Sequence, residues 1–253
     1  MRVVGALALW LVSAGAQAEW SVSADMEYFR WRESSDPVVS ERGGRFGFGW
    51  EYLRERDAGW QWAYRGEFRR GEVQYDGALL FDPSTPVSAT TRYTGLVNEL
   101  QAIYRWPHAY GPEVVAGLGY DYWERNILPD QREDYSVVFL RLGVNLDSRQ
   151  NRRWFGGGGL KLPIYVSENA HFDEIGFDQN PKLEPEGRPS FYGQVGYRFA
   201  PNWSVIGYYD SYRFAESKAV SVTSSSTFPG STFLFVQPAS SVNTYGVKVR
   251  FSF

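Results

Sequence analysis

Acids and bases recur at every second position of this chain, separated by apolar or aromatic residues. The acids are Asp25, Glu27, Glu51, Glu67, Glu99, Asp121 and Asp210; the bases are Arg45, Arg65, Arg69, Arg105, Arg125, Arg141, Lys161, Arg198, Lys248 and Arg250. Such groups on one face of extended chain have two chemical uses. Paired in a narrow interior, they fill it; held apart with water between them, they line a path for small ions, with a slight preference for anions. General acid–base catalysis has little to draw on, because the chain holds 2 His and no Cys. His108, in Pro107-His108-Ala109, reads as a solvated turn residue, and His171 stands beside Asp173 and Glu174. The acid-rich stretch Glu168–Arg188 lacks the closely spaced carboxylates of a calcium loop and is broken by Pro181 and Pro185. It is expected to be a solvated loop, with no metal and no cofactor. A net charge of −3 gives no electrostatic footprint for nucleic acid.

These charges must be carried by strands. A period of two places alternate side chains on opposite faces, and it predicts ten strands: Trp20–Arg32, Arg45–Leu53, Trp60–Gln74, Tyr93–Trp106, Val114–Arg125, Tyr135–Leu146, Trp154–Tyr165, Ser190–Phe199, Trp203–Phe214 and Thr244–Phe253. One face carries the charges and glycines. The other carries residues such as Phe46, Phe48, Trp60, Trp62, Leu140 and Leu142. Asn98 alone falls on the apolar face of its strand. Short connections (Glu55–Gly59, Pro107–Pro112, Asp147–Arg153, Ala200–Asn202) alternate with longer polar ones (33–44, 75–92, 126–134, 166–189, 215–243). Eight strands would turn two of these runs into loop hairpins; twelve would need crossings within 215–243.

The two ends of the chain say where such strands belong. Residues 1–18 read as a signal peptide: Arg2, an apolar run from Val3 to Val12, and the small-x-small site Ala16-Gln17-Ala18. Residues 19–253 then form one domain. Their last strand alternates Tyr245, Val247, Val249, Phe251 and Phe253 with Gly246, Lys248, Arg250 and Ser252. With a mean hydropathy of −0.40 and 17% aromatic residues, a membrane could be crossed only by a closed barrel with aromatic girdles.

The terminal Phe and the alternation before it resemble the closing strand of Gram-negative outer-membrane β-barrels. The resemblance implies an all-β, closed, up-and-down antiparallel barrel, integral to the outer membrane and monomeric. It implies outer-membrane lipid and lipopolysaccharide as surroundings, and the barrel-assembly machinery as the reader of the terminal strand. Arg30, Arg32, Arg69, Arg70, Arg92, Arg125 and Arg213, near the extracellular strand ends, are then candidates for lipopolysaccharide phosphate, with Glu33, Glu72 and Glu124 as competing partners. An interior of about this width is filled by side chains, so the charges are expected to plug it, with Asp121, Arg125, Arg141 and Lys161 clustering across three neighbouring strands. The expected role is structural or surface-interacting, with a narrow solute pore as the alternative. Omptin proteases and lipid A deacylases share the architecture. Asp210 could stand for an omptin acid, but Asp210-Ser211-Tyr212 has no neighbouring His, and neither His falls on a wall strand, so no enzyme is expected.

Overall fold

A computed structural model describes residues 18–54, 58–79, 82–107, 112–127, 131–147, 153–226 and 228–253. The expected signal peptide lies, up to residue 17, outside the described residues, as does His108. The strands are β1 (Ala18–Glu33), β2 (Ser40–Arg54), β3 (Gly59–Leu79), β4 (Asp82–Arg105), β5 (Glu113–Ile127), β6 (Gln131–Asp147), β7 (Trp154–Asn169), the two-residue β8 (Lys182–Leu183) and β9 (Gly187–Arg188), β10 (Ser190–Ala200), β11 (Trp203–Phe214), β12 (Val220–Thr223), β13 (Thr232–Phe235) and β14 (Ser240–Ser252).

Ten of these form a closed antiparallel barrel in the order β1-β2-β3-β4-β5-β6-β7-β10-β11-β14 and back to β1. Closure runs from Ser21↔Ser252 to Glu33↔Ser240. It is finished by Trp20 and Phe253, which exchange backbone N–H···O bonds of 3.3 and 2.9 Å. Closure leaves no sheet edge to be satisfied by lipid. The hairpin β12–β13 stands apart from the wall as its own small sheet, so the chain between 215 and 243 adds no crossing.

The outward face agrees with the alternation. Phe46, Phe48, Trp60, Trp62, Leu140, Leu142, Val247 and Val249 are all exposed on the outside. On β3 the apolar run extends from Trp60 to Phe68, close to the roughly 9–11 residues a tilted strand needs to cross a bilayer. At its periplasmic edge a girdle of rings links Trp20 to Tyr52 (4.9 Å between centroids), Trp60 to Tyr104 (5.3 Å), Trp154 to Tyr197 (4.9 Å) and Trp203 to Phe251 (4.9 Å). Asn98 does face lipid, and Tyr64 on the next strand donates its hydroxyl to the amide oxygen at 2.5 Å, so the polar group is not left bare.

Several loops expected from the sequence are strand instead. Most of 75–92 belongs to β3 and β4, which run 21 and 24 residues, and β2 begins at Ser40. The cause is visible on β1. Within the belt, Met26 and Tyr28 face out and Asp25 and Glu27 face in; above it, Arg30 and Arg32 face out while Phe29 and Trp31 are buried. The polarity of the two faces exchanges where the strand leaves the lipid, yet the period of two continues. The inward aromatics of this upper part, among them Phe29, Trp31, Tyr93, Trp123, Tyr135, Phe139 and Tyr212, pack into one core inside the barrel. Trp123 and Tyr135 stack at 5.0 Å with their planes 7° apart. Phe139 fits because its cross-strand neighbour is Gly119, where a Cβ would lie 2.2 Å from the ring.

Two loops cap this core. Residues 170–183 and the β12–β13 hairpin share a second apolar cluster of Ala170, Phe172, Phe177, Leu183 and Val222, with Phe233 and Phe235 against it. The β6–β7 part of the wall carries one irregularity. Pro163 of β7 has no N–H to give, and the β6–β7 ladder slips there by one residue between Val138 and Phe139.

Candidate functional site

The interior is a column of ion pairs below an aromatic core, and it is best followed from the periplasmic end. The lowest level is a wide vestibule of about 800 Å³, whose lining includes Glu51, Arg65, Glu113, Phe155, Arg198 and Arg250. Arg65 pairs with Glu51 at 2.7 Å, and Arg105 donates to Glu113 at 2.6 Å. Arg198 and Arg250 hold their guanidinium carbons 4.5 and 5.6 Å from the Phe155 ring.

Above the vestibule the lumen narrows to a chamber of about 130 Å³. Lys248 meets Glu67 at 2.6 Å, and Arg69 bridges Glu67 at 2.5 Å and Glu27 at 3.9 Å. Arg45 binds Glu27 at 2.6 Å and lies 3.9 Å from the Phe29 ring. Tyr208 sits within 2.9 Å of both Asp25 and Glu27. Asp25, Glu27 and Glu67 converge closely enough to resemble a cation site. Three cations already contact Glu27 and Glu67, however, so the local charge is balanced by side chains of the chain itself.

The next level is organised by Asp210. Its carboxylate takes Lys161 at 2.8 Å and Arg141 at 3.2 Å, while Arg141 also holds Glu99 at 3.0 Å. Lys161 is 1% exposed, and its ammonium lies 3.4 Å from the centre of the Tyr212 ring. The cluster expected from the sequence is therefore corrected in membership. Arg141 and Lys161 do meet, but through Asp210. Asp121 instead accepts a hydrogen bond from Tyr212 at 2.8 Å, and Arg125 lies a level higher. The reason is geometric: β7 and β11 approach one another through the short β10, so Asp210 reaches Lys161 before any β5 residue can.

The highest charged level was not foreseen, because its residues fell within or beside expected loops. Arg125 is bonded to Glu133 and, at 3.0 Å, to Glu41, and it lies 3.8 Å from Glu33. Glu41 also accepts from Thr91 at 2.9 Å and from Tyr93. Glu168, expected in a solvated loop, is 2% exposed and joins this group on its β7 side. Three buried carboxylates, Glu33, Glu41 and Glu133, thus share one guanidinium, with Glu168 close by. The continued alternation Ser40-Glu41-Arg42 was the signal that could have placed Glu41 inward.

His171 was expected in a solvated loop as well, and it is buried instead. Its Nε2 is 2.7 Å from Asp134 and its Nδ1 is 2.9 Å from Arg132. Both ring nitrogens are occupied, and His171 ties loop to wall at the extracellular rim.

The arginines assigned to lipopolysaccharide separate into two groups. Arg30, Arg32, Arg70 and Arg92 are exposed on the outer face just above the apolar belt. Arg92 pairs there with Glu72 at 3.2 Å. Arg69 points inward to Glu67 and Glu27, and Arg125 is buried in the lumen, so neither faces the outer leaflet. Arg213 donates to the carbonyl of Tyr212 at 2.9 Å and to Asn243 at 3.2 Å, which commits it to the wall. Arg42, not foreseen, joins the exposed group and faces Asp76 at 3.8 Å.

No protein-family model and no curated protein sequence matches the chain. Solved structures do. The outer membrane protease OmpT of Escherichia coli superposes with a TM-score of 0.52 at 12% identity, over 93% of this chain and 96% of that one. The translocator domain of the autotransporter NalP from Neisseria meningitidis gives 0.46 at 8% identity, over 96% and 90%. Ail of Yersinia pestis gives 0.34 at 10% identity, over 94% and 99%. At such identities the likeness concerns the fold. The chain has the architecture of the integral outer-membrane β-barrels of Gram-negative bacteria, and its apolar belt places it in that membrane.

Proposed function

We propose that this protein is a closed, ion-plugged barrel of the outer membrane with a structural and surface-interaction role. The observation that carries the reading is the narrowing of the lumen above the vestibule, from about 800 Å³ to about 130 and about 30 Å³. Above the chamber of about 130 Å³ lies a space of about 30 Å³ among Phe29, Tyr93, Asp121 and Tyr212. A continuous water path would have to cross both the Asp210 level and the aromatic core. The outward role falls to the exposed arginines, whose planar forks suit the phosphates of lipopolysaccharide. The terminal strand, with Tyr245, Val247, Val249, Phe251 and Phe253 facing lipid or its interface, is the segment we assign to recognition by the barrel-assembly machinery.

The His171–Asp134 contact at the rim supports this reading over hydrolysis. A general base needs a nitrogen free to take a proton from water or a hydroxyl, and His171 spends both on the fold. The test is conductance of refolded protein in planar bilayers. No steady current is expected from wild type; steady single-channel currents would put the solute-pore reading in its place.

A further inference from the structure

The periplasmic vestibule holds a guanidinium, Arg250, that no side chain among the described residues engages in a hydrogen bond or close ion pair. Five residues, Glu51, Arg65, Asn145, Gln194 and Arg250, line both the vestibule and the chamber above it, and they form the throat between the two. Glu51 is taken by Arg65 at 2.7 Å. Arg250 makes no hydrogen bond or close ion pair among the described residues; its guanidinium lies 5.6 Å from the centre of the Phe155 ring, and Glu51 and Glu19 attract it from beyond ion-pairing distance. Of the other acids near the throat, Glu67 binds Lys248 and Arg69, and Glu113 binds Arg105. A half-buried guanidinium at a throat that Asn145 and Gln194 also line suits an oxyanion with polar substituents.

We infer that the vestibule binds a soluble phosphate monoester from the periplasm, its phosphate on Arg250 at the throat and its polar body in the space of about 800 Å³ below. The inference rests on the plug reading only for direction, because a lumen closed above is a pocket and not a passage. The phosphate has matching dimensions: the inner chamber of about 130 Å³ admits such a group and little more. Arg198, on Phe155 at 4.5 Å, keeps that ring fixed against the throat.

The experiment is calorimetric titration of the refolded, lipid-free barrel in zwitterionic detergent, using glycerol 3-phosphate, glycerol and dihexanoyl phosphatidic acid. Saturable binding of glycerol 3-phosphate is expected, with none for glycerol. Arg250→Gln should weaken it about tenfold or more, whereas the exposed Lys182→Gln at the opposite end of the barrel should leave it unchanged. If Arg250→Gln fails to fold, Phe155→Leu keeps the cation, removes the ring against it, and should still lower affinity. Equal binding of glycerol, binding of dihexanoyl phosphatidic acid alone, or undiminished binding in both Arg250→Gln and Phe155→Leu would overturn the proposal. A barrel that binds the ester and also conducts would refute the plug while leaving the site in place. The two readings therefore fail separately.

Discussion

Arg30 on β1 and Arg42 on β2 stand directly opposite each other in the ladder, both on the outer face and both exposed. Like charges paired across strands are destabilising, and here they occur where the apolar belt gives way to polar residues. An anion between them would reverse the sign of the interaction. In our reading the phosphates of lipopolysaccharide supply it. Added lipopolysaccharide should therefore raise the unfolding temperature of the refolded barrel, and the double substitution R30Q/R42Q should remove most of that increase. In lipid-free detergent the double variant should be as stable as wild type or slightly more so. An undiminished response to lipopolysaccharide in the double variant would show that the phosphates are held elsewhere.

Asp210 ties Lys161 and Arg141 together inside the lumen. Asp210→Asn would leave Lys161 buried beside Arg141 with no shared carboxylate, a change that costs on the order of 3–5 kcal/mol. Asp121→Asn should be milder, because its partner Tyr212 donates a hydrogen bond that an amide oxygen also accepts. Denaturant unfolding in detergent would rank the two. A larger loss for Asp121→Asn would mean that Asp210 is not the organising acid. Bilayer recordings on Asp210→Asn should also show leak that wild type lacks.

The carboxylate group around Arg125 makes stability fall with rising pH. Glu168 lies above the apolar belt, level with the outward Ser136 and Asp134, and one of its oxygens has no partner. Burial, then the nearby Glu133 carboxylate, pushes its carboxyl well above the ordinary value of 4.5. The folded barrel thus holds a proton that the unfolded chain releases. Its stabilising contribution is full below about pH 4.5 and is lost as the pH climbs toward the folded value. Unfolding at about pH 9 should be easier than at about pH 6. Glu168→Gln should flatten that slope and be the more stable form at the alkaline end. An unchanged slope would place the titrating group elsewhere.

Phe253 contributes one half of the backbone exchange with Trp20, and its side chain is 65% exposed on the outer surface. Deleting it should lower the amount of protein reaching the outer membrane while shifting the unfolding midpoint of refolded protein only slightly. Normal cellular levels of the deletion would remove the terminal strand from the assembly role.

The wall itself was legible because lipid enforces a strict rule: one face of every crossing strand must be apolar. Asp25 against Met26, or Arg141 against Leu142, fixes a register with no alternative. The upper third was not legible in the same way, since the rule inverts there. Phe29 and Trp31 continue the inward series begun by Asp25 and Glu27, and a reading that keeps charge inside and apolar outside ends the strand where the exchange occurs. Glu33, Glu41, Glu133 and Glu168 were lost for that reason, each falling in or beside a segment read as loop. The partner of Lys161 was hidden for another. Which acid meets it depends on how far β10 and β11 rise against β7, a quantity that no local spacing encodes.

The β3–β4 hairpin continues beyond its apolar run. With Phe68 and Leu96 at the top of that run, about eleven further residues of β3 rise above the lipid, roughly 35 Å measured along the strand. Such a mast carries both strands of the hairpin well past the apolar belt. Sequence change tolerated there would alter what the cell displays without disturbing the barrel that displays it.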